Sequence, residues 1–138
     1  MAPKLLSDAE YQALAEVRYR LRTFLSFSEN EARIVGMEPR QHQLLLAIRG
    51  LPPGERPTIR ALADRLVLRH HTVVEMIDRL EAQEMVRRDA DPADGRVVLV
   101  RILPRGRTML DRLSIAHRDE LAKTAPRLLA SLQMLVAS

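Results

Sequence analysis

The sequence predicts a mainly α-helical fold of the α+β class, and three observations carry that prediction. Apolar residues recur at three- and four-residue spacing through most of the 138 residues, the period of helices with one buried face. Near the middle, two such stretches, 60–66 and 69–84, are separated by a very short join. Directly after them the pattern changes to short β-type runs on either side of a polar turn. Helix, turn, helix and hairpin in this order make a winged helix-turn-helix.

Each element has its own local signals. Ser7-Asp8-Ala9-Glu10 reads as a capping box flanked by a Leu6/Tyr11 hydrophobic staple. The helix it opens carries Tyr11, Leu14, Val17, Leu21, Phe24 and Leu25 on one stripe and ends near Val35-Gly36. At about seven turns it is too long for a chain of this size to cover, so it requires a partner. Pro39 starts a second helix and Gly50 closes it. Three prolines and a glycine make 51–57 a loop. The helix over 60–66 turns Ala61, Leu62 and Leu66 inward, and that over 69–84 does so with Val73, Ile77 and Leu80. Met85-Val86-Arg87-Arg88 and 97–102 form a hairpin whose tip holds Pro92 and Asp94-Gly95. Pro104 opens a further helix, and Thr124 with Pro126 is expected to cap a separate last one.

Composition sets the limits. The length suits one domain over 1–138, and 46% hydrophobic with 29% charged residues is ordinary for a globular chain. With no cysteine there is no disulfide framework, thiolate zinc site or Cys nucleophile. No apolar run approaches a membrane span and no signal-peptide pattern is present, so a cytoplasmic protein with no membrane partner is expected. The formal charge of +4 invites a polyanionic partner. Lys4 and Lys123 are the only lysines among 22 basic residues, and arginine makes two-pronged bonds that lysine cannot. Biased codon usage accounts for that excess equally well. The charge is also spread: 8 basic and 7 acidic residues in 1–56, 10 and 8 in 57–107, 4 and 3 in 108–138.

The detailed residues resemble the MarR-type (multiple antibiotic resistance regulator) transcription factors. The likeness runs through Ile59-Arg60-Ala61-Leu62-Ala63-Asp64-Arg65-Leu66, Thr72-Val73, Asp78-Arg79-Leu80-Glu81, Met85-Val86-Arg87-Arg88, Asp94-Gly95-Arg96 and Gly106. It implies a homodimer held by helices within 1–36 and 104–138, with a DNA-binding lobe over 57–103 that grips a pseudo-palindromic operator. Leu128, Leu132 and Leu135 with Leu110 and Leu113 are the expected interface stripes, the alternative being a monomeric core. The implied function is a DNA-binding regulator, a repressor modulated by a small anionic or aromatic effector. The implied effector pocket lies near Arg18, Arg22, His42, Gln43 and Leu46.

Steps of about 100° per residue place Ile77 and Leu80 beside Val73, and His71, Glu75, Asp78 and Ala82 opposite them. Arg69, His70 and Thr72 are assigned to phosphate at the helix start. His71, Val74 and Glu75 are assigned to base edges in the major groove. In the wing, 87–98, the family's Asp-x-Arg element is Asp94-Gly95-Arg96, in which the acid orients the arginine toward the minor groove. Arg87 and Arg88 complete the set; one of them faces inward or pairs with Asp89, Asp91 or Asp94.

Departures from the family pattern concern specificity and capping. Arg69 replaces a capping serine, Glu84 a glycine, Val74 and Glu75 a serine and an arginine, and Leu103 a capping threonine. A left-handed Glu84 costs on the order of 1 kcal/mol. His70 and His71 diverge by about 100° on a helix, too far for paired metal ligation. Glu38 stands one turn before His42, but no second histidine or acid follows His117 at four residues, where Leu121 stands, so a metal site is not expected. No metal, cofactor or enzymatic activity is expected, since no Ser-His-Asp set, phosphate loop or His-Glu-x-x-His run is present. The rival from another class is a winged-helix protein–protein adaptor.

Overall fold

The computed structural model describes residues 3–138. The order is α1 (Asp8–Ile34), α2 (Pro39–Arg49), α3 (Ile59–Leu66), α4 (His70–Ala82), β1 (Val86–Ala90), β2 (Val98–Ile102) and α5 (Pro104–Ala137). They divide into two compact units. One is Ala32–Ser114; the other joins the chain up to Glu31 with Ile115–Ser138.

The Ala32–Ser114 unit is the winged lobe. Its centre is Leu44 and Leu45 of α2, Leu62 of α3, Val73, Ile77 and Leu80 of α4, Val86 and Val100 of the hairpin, and Leu113 of α5. Excluding one such side chain from water stabilises by about 1.5–3 kcal/mol. Thr58 caps α3 by accepting the Ala61 amide at 3.1 Å. The antiparallel hairpin pairs Val86 with Ile102 and Arg88 with Val100, which puts these four on one face. The Val100 amide also bonds the Pro57 carbonyl at 2.9 Å, so the loop before α3 is tied to the hairpin.

Three helices end in the same way. Met37 donates to the Ala32 carbonyl at 2.9 Å, Leu68 to Ala63 at 3.1 Å and Met85 to Leu80 at 2.9 Å. In each, the preceding residue is left-handed: Gly36 at φ 77°, Val67 at 55° and Glu84 at 58°. This Schellman closure satisfies carbonyls that a helix end leaves open. At Val67 and Glu84 it costs on the order of 1 kcal/mol that glycine would not. The expected left-handed Glu84 is therefore present, and Val67 is a second such position.

The other unit pairs the 8–31 part of α1 with the 115–137 part of α5. The capping box forms as read: Ser7 Oγ accepts the Glu10 amide at 3.1 Å, and Glu10 Oε1 accepts the Ser7 amide at 3.0 Å. These bonds hold the Glu10 carboxyl below its usual range. His117 stands 2.7 Å from Ser28 Oγ and takes Phe24 and Phe27 against its ring edge-on. Tyr11, Leu14, Leu21, Leu25, Leu129 and Leu132 of this unit remain exposed.

Two expectations are corrected. Thr124 and Pro126 do not begin a new helix, because α5 runs unbroken through Pro126. The Thr124 hydroxyl bonds back to the Glu120 carbonyl at 3.0 Å instead of capping. Proline at 126 removes the bond to the carbonyl four residues earlier, but Ala122 and Pro126 are both exposed, so water can satisfy that oxygen. Leu110 and Leu113 are not an exposed stripe either; both are buried in the winged lobe's core.

The start of α5 lies very close to the hairpin. A Cβ on Gly106 would stand 2.3 Å from the Met85 carbonyl oxygen and 3.1 Å from Ile102 Cγ2. Gly106→Ala is expected to lower stability by about 1–3 kcal/mol, read as a lower urea midpoint at unchanged slope. A midpoint equal to the wild type's would refute this close approach.

Candidate nucleic-acid interface

The sequence of α4 fixes which face can meet a ligand. Val73, Met76, Ile77 and Leu80 are buried, so His71, Glu75, Asp78 and Ala82 face outward on the opposite side. Thr72 and Val74 are half-buried on the flanks, as the helical spacing predicts. Arg69 occupies the N-cap position in extended backbone and makes no side-chain capping bond. The amides of the first turn are therefore not capped by that side chain, and the exposed Arg69 and His70 stand beside them.

The wing tip is held by backbone and carboxylate bonds. Asp91 donates to the Val97 carbonyl at 2.8 Å, and Val97 to the Asp94 carbonyl at 2.9 Å. The buried Asp91 side chain accepts the Ala93 amide at 2.9 Å and forms an ion pair with Arg56. Asp94 Oδ1 accepts both the Arg96 amide, at 3.1 Å, and Arg96 Nε, at 3.2 Å. The bonds from the Arg96 side chain, and then from its amide, hold the Asp94 carboxyl below its usual range. Arg96 itself is 92% exposed, so its guanidinium is oriented from behind and open in front.

Arg87 and Arg88 part company. Arg87 is exposed and its Nε donates to Asp89 at 3.0 Å, a pairing the sequence allowed. Arg88 is the one facing inward, but its partners are on α4 and not in the wing. Its Nη1 donates to Glu81 Oε1 at 2.7 Å, its Nη2 to Asp78 Oδ1 at 2.6 Å, and its amide to Glu81 Oε2 at 3.0 Å. Burial works against the charge, but the bonds to Asp78 and Glu81 outweigh it and raise the Arg88 pKa.

Sequence reasoning missed that triad, although one signal was available. Strand alternation from the apolar Val86 puts residue 88 on the inward face. The Arg56–Asp91 pair and the Arg79–Glu38 pair, at 3.0 Å, join distant segments, and no spacing rule announces either.

The residues named for an effector are divided. Gln43 and Leu46 line a surface hollow of about 420 Å³ with Ala47, Gly50, Arg65 and Leu66. His42 is buried and is not among the residues lining it. Arg18 and Arg22 are exposed on α1, in the other unit. Among the described residues no group of three or more His, Cys, Asp or Glu is placed to hold a metal ion. No helix of the described residues is long and apolar enough to cross a membrane.

A helix-turn-helix with an outward polar face, followed by a hairpin presenting an oriented arginine, defines the protein as a winged-helix protein. Residues 35–97 match the model of the MarR family, a stretch that spans α2, α3, α4, β1 and the wing tip. An uncharacterised HTH-type transcriptional regulator of Bacillus subtilis (strain 168), YsmB, is 38% identical over 63 residues, 46% of this chain and 42% of that protein. The chain thus matches less than half the length of this relative. Among solved structures, CouR from Rhodococcus jostii RHA1, bound to p-coumaroyl-CoA, aligns at TM-score 0.70 and 21% identity, covering 85% of this chain and 81% of CouR. A mutant MarR from E. coli, complexed with operator DNA, aligns at TM-score 0.67 and 22% identity over 88% of each chain.

The Asp94 bond has a pH signature. A carboxyl whose folded-state pKa is lowered contributes above its unfolded value, and the contribution is lost as pH falls through the folded one. In a carboxyl-carbon NMR titration, Asp94 is expected to titrate at lower pH in the wild type than in Arg96→Ala. Coincident titrations would remove the pair.

Proposed function

We propose that this chain is a dimeric, sequence-specific DNA-binding regulator, a repressor whose grip on a pseudo-palindromic operator changes when a small molecule binds. The observation that carries the DNA reading is the wing of this MarR-family lobe. Arg96 is fully presented while Asp94 fixes its direction, the arrangement that suits the concentrated negative potential of a minor groove. The outward face of α4, with His71, Val74 and Glu75, is assigned to base edges in the major groove. Arg69, His70 and Thr72 at the helix start are assigned to phosphate, and Arg87 flanks them in the wing.

Dimerisation is supported by the apolar side chains that the α1–α5 unit leaves in water, with Leu129 54% exposed and Tyr11 58%. Large apolar side chains exposed on both helices of one unit are what an interface between copies would cover. The likeness to CouR supports an effector of anionic or aromatic character, with Gln43, Leu46, His42, Arg18 and Arg22 as the residues to test.

Mobility shifts on the DNA upstream of the chain's own coding sequence test the main claim. Binding should weaken steeply with salt, and Arg96→Ala should lower affinity on the order of tenfold. Unimpaired binding by Arg96→Ala would sink the wing assignment. No binding to any duplex at low salt would favour the protein–protein adaptor. In sedimentation at micromolar concentration the species should have twice the 15.7 kDa chain mass, and a monomer would overturn the dimer.

A further inference from the structure

We infer that Arg88 serves DNA binding from behind the interface: it masks the carboxylates of Asp78 and Glu81 and aims the wing, and does not itself contact DNA. The inference rests on the DNA-binding reading and deepens it. Asp78 lies in the outward arc of α4 with His71 and Glu75 and is 61% exposed. Glu81, one turn on, is partly exposed beside it. Two carboxylates one turn apart on a surface laid along phosphates repel the ligand at every sequence.

Arg88 answers this from the inward face of β1. Opposite the buried Val100 in the hairpin register, it reaches up to both acids with separate guanidinium nitrogens, at 2.6 and 2.7 Å. The group then carries a formal charge of −1 instead of −2. The side chain is only 26% exposed, and its Nη2 also lies 3.5 Å from the Val74 carbonyl oxygen on α4. A guanidinium held on three sides by α4 has few donors left for a phosphate. The same contact fixes direction: Glu81 accepts the Arg88 amide as well as its side chain, which pins β1 against α4 where the wing begins.

The test is a fluorescence-anisotropy titration of a mixed-sequence duplex by the full chain over a series of salt concentrations. Arg88→Ala should weaken binding about threefold to tenfold, the scale of one charge against a phosphate, while the slope of log affinity against log salt stays at the wild-type value. Adding Asp78→Asn and Glu81→Gln to Arg88→Ala should return affinity to the wild-type level or above. A slope smaller by about 0.9 in Arg88→Ala, with no recovery in the triple variant, would make Arg88 a phosphate contact and overturn the inference. Should Arg88→Ala fail to fold by circular dichroism, Arg88→Gln combined with Asp78→Asn and Glu81→Gln decides: affinity at the wild-type level or above supports masking, and weaker binding with a slope smaller by about 0.9 overturns it. If the wild type binds no duplex at low salt, the DNA-binding reading falls first. If it binds and the variants misbehave, only this inference is lost.

Discussion

The Met85 carbonyl accepts the Leu103 amide at 2.8 Å, while the Met85 amide donates to Leu80 at 2.9 Å. One peptide group on either side of Met85 therefore closes α4, begins β1 and anchors the chain where it enters α5. Gly106 completes the junction, because the helix can lie against that carbonyl only without a Cβ. What the winged lobe presents outward depends on this point. The end of α4, the departure of the wing and the start of the last helix are all set within a few ångströms of it.

Charge is arranged around that junction in a way that net charge conceals. Arg79 is joined to Glu38, Arg87 and Arg101 to Asp89, Arg88 to Asp78 and Glu81, and Arg56 to Asp91. The exposed ones among them, such as Arg79 with Glu38, add little stability, typically under about 1 kcal/mol each. Their effect is directional: each holds a long side chain in one place. Arg96 differs in its exposure: Asp94 holds it from behind and leaves the guanidinium facing solvent. Of 20 arginines spread evenly along the chain, position in this network separates those that orient others from those that face out.

Local rules made most of the architecture legible. Capping residues, proline at helix starts and apolar periodicity placed six of the elements to within a residue or two, from the Ser7–Glu10 box to the hairpin. They failed at Pro126, where a helix breaker sits inside a helix whose exposed side lets water replace the lost bond. They also failed for Leu110 and Leu113, since periodicity identifies an apolar stripe but not what covers it; the winged core covers these two. At the site, the outward face of α4 followed from spacing, and the Asp94–Arg96 pair from the family resemblance. The Arg88 triad did not, because it joins a strand to a helix and depends on the turn at Glu84–Met85, which no period reports.

That turn also explains why a strained glutamate is tolerated at 84. Val67 before α4 and Glu84 after it are both left-handed without being glycine, and the amide that follows each closes the preceding helix. Together they clamp the two ends of α4 to the same core that buries Val73, Ile77 and Leu80. On the proposed DNA-binding reading, a helix held at both ends adapts poorly to different duplexes by sliding or tilting, so discrimination would fall to its outward side chains. Glu75, exposed among them, suits that role: a carboxylate in a groove is favourable only where a base offers a donor, such as cytosine N4, and costly elsewhere. On the DNA-binding reading proposed above, phosphate attraction comes from the helix start and the wing, where Arg69 and Arg96 stand open.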